Sequence, residues 1–460
     1  MGDAKIPYQT DFPSEEFKVR WEKLFDGIGS GAIAVVQGAS MVPGYMLPRQ
    51  NNEFYYLCGV ETPHSYLLLD GRDRRVTLFL PPRNPKLEAA EGKVLSAEDV
   101  EEAKRLIGVD DVRPTTAMGE NWLAGLDAKV VYALFSPGEG YAVGRHEANA
   151  ANRMIEADPW DARTTKEAQF VAHIQARTPG VEMRDLTPIL DDMRSVKSPR
   201  EIALIRTASR IAGLAMIEAI RSTQAGLYEY QLEAVARYVF TLHGARTDAY
   251  RAIIGAGTEN IGNLHYFRNN SLLKDGDLVL MDYAPDYHYY AGDIGRVWPV
   301  NGKFDPVARQ LLGFILAYHK AVQKEIRPGV TVEEVYERAR AAMESTFAAT
   351  SWLKPAYQEA ARTLLDKGGG AMSHPVGMAV HDDGRYADGP LKVGQVFSVD
   401  PQLWVRSEGL YLRYEDTGVV TEDGWENFTH FLPVELDDLE RLVAEKGMVQ
   451  HYPPVDLSTL

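Results

Sequence analysis

Apolar positions in the first 190 residues come in short runs that alternate with helical stretches. The runs are rich in β-branched and aromatic residues, which predicts strands, and the intervals between them fit helices such as one at 97–106. The predicted strands lie at residues 32–36, 66–69, 76–80 and 130–135. This alternation is typical of an α/β domain, which we place at residues 1–188.

An aromatic run at 54–58 (FYYLC) fits the same pattern and is predicted as a further buried strand. It ends in Cys58, the single cysteine of the chain, so an intrachain disulfide is excluded. Buried free cysteines behave mostly as small apolar residues, and Cys58 is therefore interpreted as a structural thiol.

The pattern changes at residue 198, where a helix start is well defined. Ser198 is predicted as the N-cap, Pro199 as the first helical residue and Glu201 as the partner in a capping box. Further helices are predicted at 229–243, 306–327 and 332–348, and strands at 278–284, 395–400 and 410–415. Because helices and hairpins are interleaved without a βαβ rhythm, residues 189–460 are predicted to form an α+β domain with a largely antiparallel sheet.

Length and charge narrow the function classes. The chain has 460 residues, more than one apolar core usually supports, which agrees with two domains. Its formal net charge is −16 and no run rich in Lys or Arg stands out, so neither nucleic acid nor an anionic membrane is an expected partner. The chain contains no uninterrupted run of about 18 apolar residues, which a membrane-spanning helix would require. Residues 1–12 lack the apolar segment of a signal peptide. We therefore expect a cytoplasmic protein.

Two segments share a layout that ends in an acidic residue. Residues 274–282 (KDGDLVLMD) and 392–400 (KVGQVFSVD) each contain a turn, a strand and then Asp282 or Asp400. A second acid follows each segment, Asp293 after the first and Glu415 after the second. Two such hairpins would bring four carboxylates together. Alternatively, the likeness reflects only how often Lys-x-Gly turns precede strands.

An acid at the end of an apolar strand is costly to bury unless a positive group meets it. Strand alternation puts Leu278, Leu280 and Asp282 on one face, which directs Asp282 inward. His374, which follows the glycine run at 368–370, adds an imidazole to the four acids. This oxygen-rich set suits Mn²⁺ or a comparable divalent ion. Since four acids exceed the need of one cation, the residues favour two metal ions that share carboxylates.

Several motifs resemble those of a known family. They lie at 49–59 (RQNNEFYYLCG), 196–202 (VKSPREI), 255–260 (GAGTEN) with His265 and Tyr266 beyond it, and 290–296 (YAGDIGR). In order and spacing, over nearly the whole chain, they resemble the Xaa-Pro aminopeptidase (aminopeptidase P) branch of the M24 superfamily of prolidases and methionine aminopeptidases. The resemblance implies an N-terminal α/β domain of the creatinase and aminopeptidase P type, followed by a catalytic domain with the pita-bread fold.

The resemblance also implies a set of metal ligands. These are Asp282, Asp293, His374, Asp400 and Glu415. Asp293 and Glu415 would bridge the two ions, for which Mn²⁺ is expected, with Zn²⁺ or Co²⁺ as alternatives.

Catalytic roles are implied for His265, His381, Asp400 and Arg413. The two histidines would stabilise the oxyanion or the leaving nitrogen. Asp400 would take the proton of the attacking water. Arg413 would either contact the substrate or hold Glu415 or Asp293 by a salt bridge, and both alternatives stay open.

The implied reaction is hydrolysis of the bond between an N-terminal residue and a following proline, with a water between the two ions as nucleophile. The implied partners are peptides with proline at the second position, and a homodimer or homotetramer is expected. One alternative is a prolidase restricted to dipeptides. The other is a pita-bread protein that has lost peptidase activity and serves as a peptide-binding module.

Two features depart from the family pattern. Asp400 stands in VDPQ at 399–402, where the family usually has Glu-Pro-Gly. Aspartate is shorter than glutamate by one methylene, about 1.5 Å on ordinary bond lengths, and Gln402 replaces the glycine behind it. The hairpin at 283–290 is also unusually aromatic, which fits core packing, a narrowed substrate pocket or a subunit contact.

Overall fold

The structure is a computed structural model that describes residues 6–41, 44–45, 47–119, 122–140 and 144–455. The chain divides into two compact units, Met1–Arg194 and Ser195–Leu460. Part of the N-terminal segment interpreted above, residues 1–5, lies outside the described residues. Within the described part of the chain, none of the helices has the length and apolar character needed to span a membrane.

The first unit is a six-stranded mixed sheet with helices, in agreement with the α/β prediction. The strand order is β4-β3-β2-β1-β5-β6, in which β1–β2 and β2–β3 are antiparallel and the other neighbours are parallel. The elements are α1 (Ser14–Ile28), β1 (Ala32–Gln37), α2 (Asn52–Cys58), β2 (Tyr66–Asp70), β3 (Arg75–Leu80), α3 (Pro85–Glu91), α4 (Val100–Ile107), β4 (Asp111–Pro114), β5 (Val130–Ala133), α5 (Arg145–Ala157), α6 (Lys166–Arg177), β6 (Glu182–Asp185) and α7 (Thr187–Ser195).

The prediction of a strand at 54–58 is wrong, because this run is the helix α2. All seven residues of α2 are buried, so the segment shows no polar face from which a helical period could be read. Gly59 ends the helix in the left-handed region, with φ of 65°, and its N–H donates to the Tyr55 carbonyl. Cys58 is buried within this helix, as expected for a structural thiol.

The second unit contains antiparallel sheets and long helices, as predicted. Its largest sheet has the order β13-β16-β12-β9-β8 with β17 paired to β16, and all its pairs are antiparallel. The elements are α8 (Pro199–Ser222), α9 (Glu229–Leu242), β7 (Thr247–Asp248), β8 (Ile253–Ala256), α10 (Gly257–Ile261), β9 (Leu278–Asp282), β10 (Pro285–Tyr287), β11 (Tyr290–Ala291), β12 (Ile294–Pro299), α11 (Pro306–Glu325), α12 (Val332–Ala349), α13 (Pro355–Lys367), β13 (Val396–Val399), β14 (Gln402–Val405), β15 (Leu410–Arg413), β16 (Glu415–Thr421), β17 (Gly424–Asn427), α14 (Leu436–Val443) and α15 (Met448–His451).

Helix α8 begins as predicted, with the capping box between Ser198 and Glu201 formed in both directions. One strand prediction needs correction: the run at 410–415 is two strands in two different sheets. Strand β15 pairs with β14, and after Tyr414 the chain continues as β16 between β12 and β13. The sequence of this run could not reveal the change of sheet, since the change depends on which partner strand each half finds.

Candidate metal centre

The four predicted acids lie where strands of the large sheet run side by side. Asp282 ends β9 and is paired with Gly295 of β12, and Gly295 is paired on its other side with Glu415 of β16. Asp293 lies two residues before Gly295, just ahead of β12. The first predicted hairpin and the beginning of β16 thus place three acids next to one another.

Gly295 is required by this close approach. A Cβ at this position would lie 3.0 Å from Arg413 Nε and 3.0 Å from Glu415 Oε2. A side chain between Asp282 and Glu415 would therefore displace the groups that the two strands bring together.

The fourth acid and the histidine enter from β13 and the chain before it. Asp400 directly follows β13, whose Val399 is paired with Asp416 of β16. His374 lies beside the same strand, because the Ser398 N–H donates to the His374 carbonyl at 3.2 Å. The His374 Nε2 atom is 3.4 Å from Asp293 Oδ2.

These residues form one buried cluster. One ligand atom each of Asp293, His374 and Glu415 lie within 4.8 Å of one another. The exposed fraction is 5% for Asp282, 3% for Asp293, 2% for Asp400 and 1% for Glu415. Four acids this deeply buried need compensating positive charge.

Arg413 supplies part of that charge. Its guanidinium contacts Asp282, lies 3.0 Å from Glu415 Oε2 through Nη2, and lies 3.3 Å from Asp400 Oδ2 through Nη1. Arg413 is itself buried and faces Gln402 across the β14–β15 pair. One arginine therefore joins Asp282 and Asp400 to the cluster.

The remaining negative charge contributes to shifts in the pKa values of the buried acids. The pKa of Asp293 and the pKa of Asp400 are both well above the ordinary value of an aspartate. Burial is the largest cause, and the charge of Glu415 is the second. Burial also opposes the ionisation of Glu415, but Arg413, His374 and Ser398 outweigh it and lower the pKa of Glu415. Additional cationic charge would relieve this repulsion.

His374 is in the form that binds metals. Burial, and next the neighbouring His381, lower the pKa of His374 to about 4, so the imidazole is neutral near pH 7. Together with Asp400 Oδ1, which is buried and has no hydrogen-bond partner among the described residues, this ligand set fits divalent metal ions.

The two other predicted histidines lie beside the cluster. The His381 ring packs edge-on against His374 with 4.3 Å between centroids, and the His265 ring is 6.4 Å from His381. The three imidazoles thus form a row that runs from the partly buried His374 to the exposed His265.

Three further side chains contribute to this site and were not predicted from the sequence. The Tyr250 hydroxyl lies within hydrogen-bond distance of both Asp282 and Asp293, the Ser398 hydroxyl donates to Glu415 Oε1 at 2.7 Å, and the Thr417 hydroxyl donates to the Asp293 carbonyl at 2.8 Å. Strand alternation could have found Ser398, which is two residues before Asp400. Tyr250 lies between β7 and β8 and carries no such signal.

Two tyrosines of the aromatic hairpin near the site, Tyr283 and Tyr290, belong to the core. Tyr283 is buried, packs against Phe240 with 4.9 Å between ring centroids, and accepts a hydrogen bond from Arg237 Nε at 3.0 Å. Tyr290 is also buried and its hydroxyl donates to Glu201 at 3.0 Å. Both side chains are therefore explained by packing and by local hydrogen bonds.

Comparisons with known proteins agree with this architecture. The profile of Metallopeptidase family M24 matches residues 203–422, and that of the Aminopeptidase P, N-terminal domain, matches residues 17–132. The Xaa-Pro aminopeptidase of Escherichia coli (strain K12) is 30% identical over 95% of this chain and 99% of its own, and that of Haemophilus influenzae is 28% identical over the same shares. A zinc-substituted E. coli aminopeptidase P in complex with product has a TM-score of 0.76 and 29% identity over 95% of this chain and 99% of its own.

The fold and the buried acid cluster define a metallopeptidase of the pita-bread type with a separate N-terminal α/β domain, which confirms the predicted fold class. Within that class, the chain belongs to the Xaa-Pro aminopeptidase (aminopeptidase P) family of the M24 metallopeptidases.

Proposed function

We propose that this protein is a hydrolase that uses divalent metal ions to cleave the bond between an N-terminal residue and a following proline. One observation carries the proposal. The acids at 282, 293, 400 and 415 and the imidazole of His374 gather at one buried place where the sheet strands meet. The relatives named above, which are Xaa-Pro aminopeptidases, support the choice of substrate.

We propose Asp282, Asp293, His374, Asp400 and Glu415 as the residues that would hold two divalent ions. When bound, such ions supply Lewis acidity and lower the pKa of a water molecule, so that hydroxide is available as nucleophile near neutral pH. Mn²⁺ is the proposed native ion because the set is dominated by carboxylate oxygens. Zn²⁺ and Co²⁺ are the alternatives.

The chain's own groups then handle protons and charge. Asp400 accepts the proton that the attacking water loses, at its Oδ1 atom, which is not engaged in a hydrogen bond with the described residues. Arg413 keeps Asp282, Asp400 and Glu415 at fixed separations through its ion pairs. This proposed role follows the salt-bridge alternative for Arg413.

His381 and His265 are proposed to act on the substrate. They extend the row of imidazoles away from His374 toward solvent, where the scissile carbonyl and the proline nitrogen would lie. A donor placed at the developing oxyanion stabilises the transition state more than the ground state. Proline has no N–H and a fixed φ, so a site shaped for it accepts a bond that general peptidases handle poorly.

The decisive experiment is hydrolysis of an Xaa-Pro-Yaa tripeptide by metal-stripped protein, before and after Mn²⁺ is added. We expect release of the first residue only with metal. An Xaa-Pro dipeptide as the sole accepted substrate would favour the prolidase alternative. No cleavage with Mn²⁺, Zn²⁺ or Co²⁺ by folded protein would favour the peptide-binding alternative.

A pair of histidine variants controls for nonspecific damage. His374→Ala should abolish metal-dependent cleavage. His430→Ala removes an exposed imidazole whose Nδ1 lies 3.1 Å from the Asn427 carbonyl oxygen, and it should leave cleavage unchanged. Equal loss in both variants would contradict the assignment of His374.

We also propose a domain boundary that separates residues 1–188 from 189–460, a homodimer or homotetramer, and a cytoplasmic location. Limited proteolysis, light scattering and cell fractionation test these three points. Neither nucleic acid nor a membrane is proposed as a partner, given the net charge of −16.

A further inference from the structure

Gln402 lies directly behind the acid that the proposed mechanism uses as a base. It begins β14, two residues after Asp400, and its amide nitrogen is 2.6 Å from Asp400 Oδ2. Carboxylate oxygens accept hydrogen bonds, which identifies the amide nitrogen as the donor. Gln402 therefore contacts the same carboxyl group that Arg413 contacts.

The two contacts converge because of strand register. Gln402 and Arg413 are directly opposite each other in the antiparallel pair of β14 and β15, so their side chains extend on the same face. Both reach Asp400 Oδ2, at 2.6 Å from Gln402 Nε2 and 3.3 Å from Arg413 Nη1. The other oxygen, Oδ1, is buried without a hydrogen-bond partner among the described residues. The carboxylate is thus fixed by one oxygen and presents the second.

The glycine run at 368–370 provides the space for this arrangement. The three glycines have φ values of 73°, 58° and 75°, all in the left-handed region. A Cβ on Gly369 would lie 3.1 Å from the Gln402 carbonyl oxygen, and one on Gly370 would lie 3.9 Å from Gln402 Nε2. The Asp400 N–H also donates to the Ala371 carbonyl at 3.0 Å, just after the run. This turn packs against Gln402 and anchors Asp400.

We infer that Gln402 is a positioning residue, which holds the short carboxylate of Asp400 so that Oδ1 points toward the metal ions. Aspartate has one methylene and one rotatable bond fewer than glutamate, so its carboxyl group reaches less far from the backbone and has fewer ways to adjust to a metal ion. Residues that orient a metal ligand typically change metal affinity about 10- to 100-fold when they are replaced. The inference rests on the proposed metal site, but it concerns orientation and not the reaction.

The test measures metal affinity by competition with a chelator in the full-length protein. Gln402→Met keeps the length of the side chain and removes the donor, and we expect it to weaken Mn²⁺ binding about 10- to 100-fold. Gln310→Ala is the matched control, since the Gln310 amide bonds the backbone of Ser351 and Leu353, and its Mn²⁺ affinity should equal that of the wild type.

A double-mutant cycle separates positioning from a general structural effect. In an Asp400→Glu background the carboxyl group lies about 1.5 Å further out, away from the Gln402 amide, so Gln402→Met should weaken Mn²⁺ binding less than about threefold. The visible absorption spectrum of the Co²⁺ form should change in Gln402→Met but not in Gln310→Ala. The metal-free Gln310→Ala protein should melt at a lower temperature than the wild type, because two hydrogen bonds to the backbone are lost, while its Mn²⁺ affinity stays the same.

Three results would overturn the inference. They are unchanged Mn²⁺ affinity in Gln402→Met, equal losses from Gln402→Met in the wild-type and Asp400→Glu backgrounds, or a wild-type protein that binds no metal. The last result would also overturn the proposed function. A wild type that binds Mn²⁺ but cleaves no Xaa-Pro peptide would leave the positioning inference intact and contradict only the proposed reaction.

Discussion

At the scale of single residues, the candidate site combines residues that the sequence marks clearly with others that it does not. Asp282 ends a strand whose alternation predicts an inward direction, Asp293 directly precedes β12 and Glu415 begins β16, and the structure buries all three. Tyr250 contacts two of these acids from a loop that shows no period. A hydroxyl that reaches a site from a distant loop leaves no pattern in the sequence around it.

The role proposed for His265 is tested by its removal. His265→Ala should lower kcat about 100-fold, because one donor to the oxyanion is lost. Metal content should not change, since His265 is not one of the five proposed ligands and its ring joins the imidazole row through His381, at 6.4 Å between centroids. The measurement is steady-state kinetics with an Xaa-Pro-Yaa peptide together with metal analysis. The exposed His430, replaced by Ala, is the control, and a loss of metal in His265→Ala would show that His265 is a ligand or a structural residue.

At the scale of elements, the meeting of β9, β12 and β16 determines where the acids lie. The narrowest point is Gly295, which has Asp282 on one side and Glu415 on the other. The sequence contains both acids, but their proximity depends on the antiparallel pairing of strands that are more than 100 residues apart.

A substitution at this point should impair metal binding and stability together. Gly295→Ala puts a Cβ 3.0 Å from Arg413 Nε and Glu415 Oε2, and we expect weaker metal binding and a lower melting temperature. Gly313→Ala is the matched control: this glycine lies within α11 with no atom within 4 Å of an added Cβ, and it should stabilise the protein by about 0.5–1 kcal/mol. Equal changes in the two variants would show that Gly295 has no special role.

At the scale of the whole molecule, buried charges in the first unit make the stability of the protein depend on pH. Glu53 and Glu139 are fully buried with Arg145 and Arg194, and Arg145 also pairs with Asp191. Burial, and then the charge of Glu139, raise the pKa of Glu53 from its ordinary value of 4.5 to about 7, although the two arginines oppose the shift.

Because its pKa is raised in the folded state, Glu53 makes the folded protein less stable as the pH rises. Between the unfolded pKa of 4.5 and the folded pKa of about 7, the folded chain holds a proton that the unfolded chain releases, so stability falls by at most about 1.4 kcal/mol per pH unit. Glu53→Gln should remove this contribution. Its melting temperature should rise relative to that of the wild type between pH 5 and pH 8, measured with EDTA present. Glu22→Gln, at an exposed ion pair, is the control. If the difference in melting temperature between Glu53→Gln and the wild type is the same at every pH, the raised pKa assigned to Glu53 is wrong.

Metal binding should stabilise the second unit. A ligand present at 1,000 times its dissociation constant adds about 4 kcal/mol to the stability of the state that binds it. We therefore expect Mn²⁺ to raise the melting temperature of the stripped wild type and EDTA to reverse the rise. The same experiment with His374→Ala should show little or no shift. An equal shift in this variant would place the ion elsewhere.

Many local features of this protein can be predicted from its amino-acid sequence. Local signals are read correctly where they are strong: the capping box at Ser198, the long helices α9, α11 and α12, and the strand periods around Asp282. They depend on neighbours a few residues apart, which any stretch of sequence displays. The family motifs then allowed the pita-bread fold to be predicted from the order of the segments.

Other features depend on contacts between segments that are far apart in the sequence. The run at 54–58 shows no helical period in the sequence because all faces of the helix are covered, and the run at 410–415 is divided because β15 and β16 find partners in different sheets. The hydrogen bond from Gln402 to Asp400, beside Arg413, likewise follows from the register of β14 against β15. Each of these outcomes depends on which distant segments pack together, and the free energy of that packing is not contained in any local pattern.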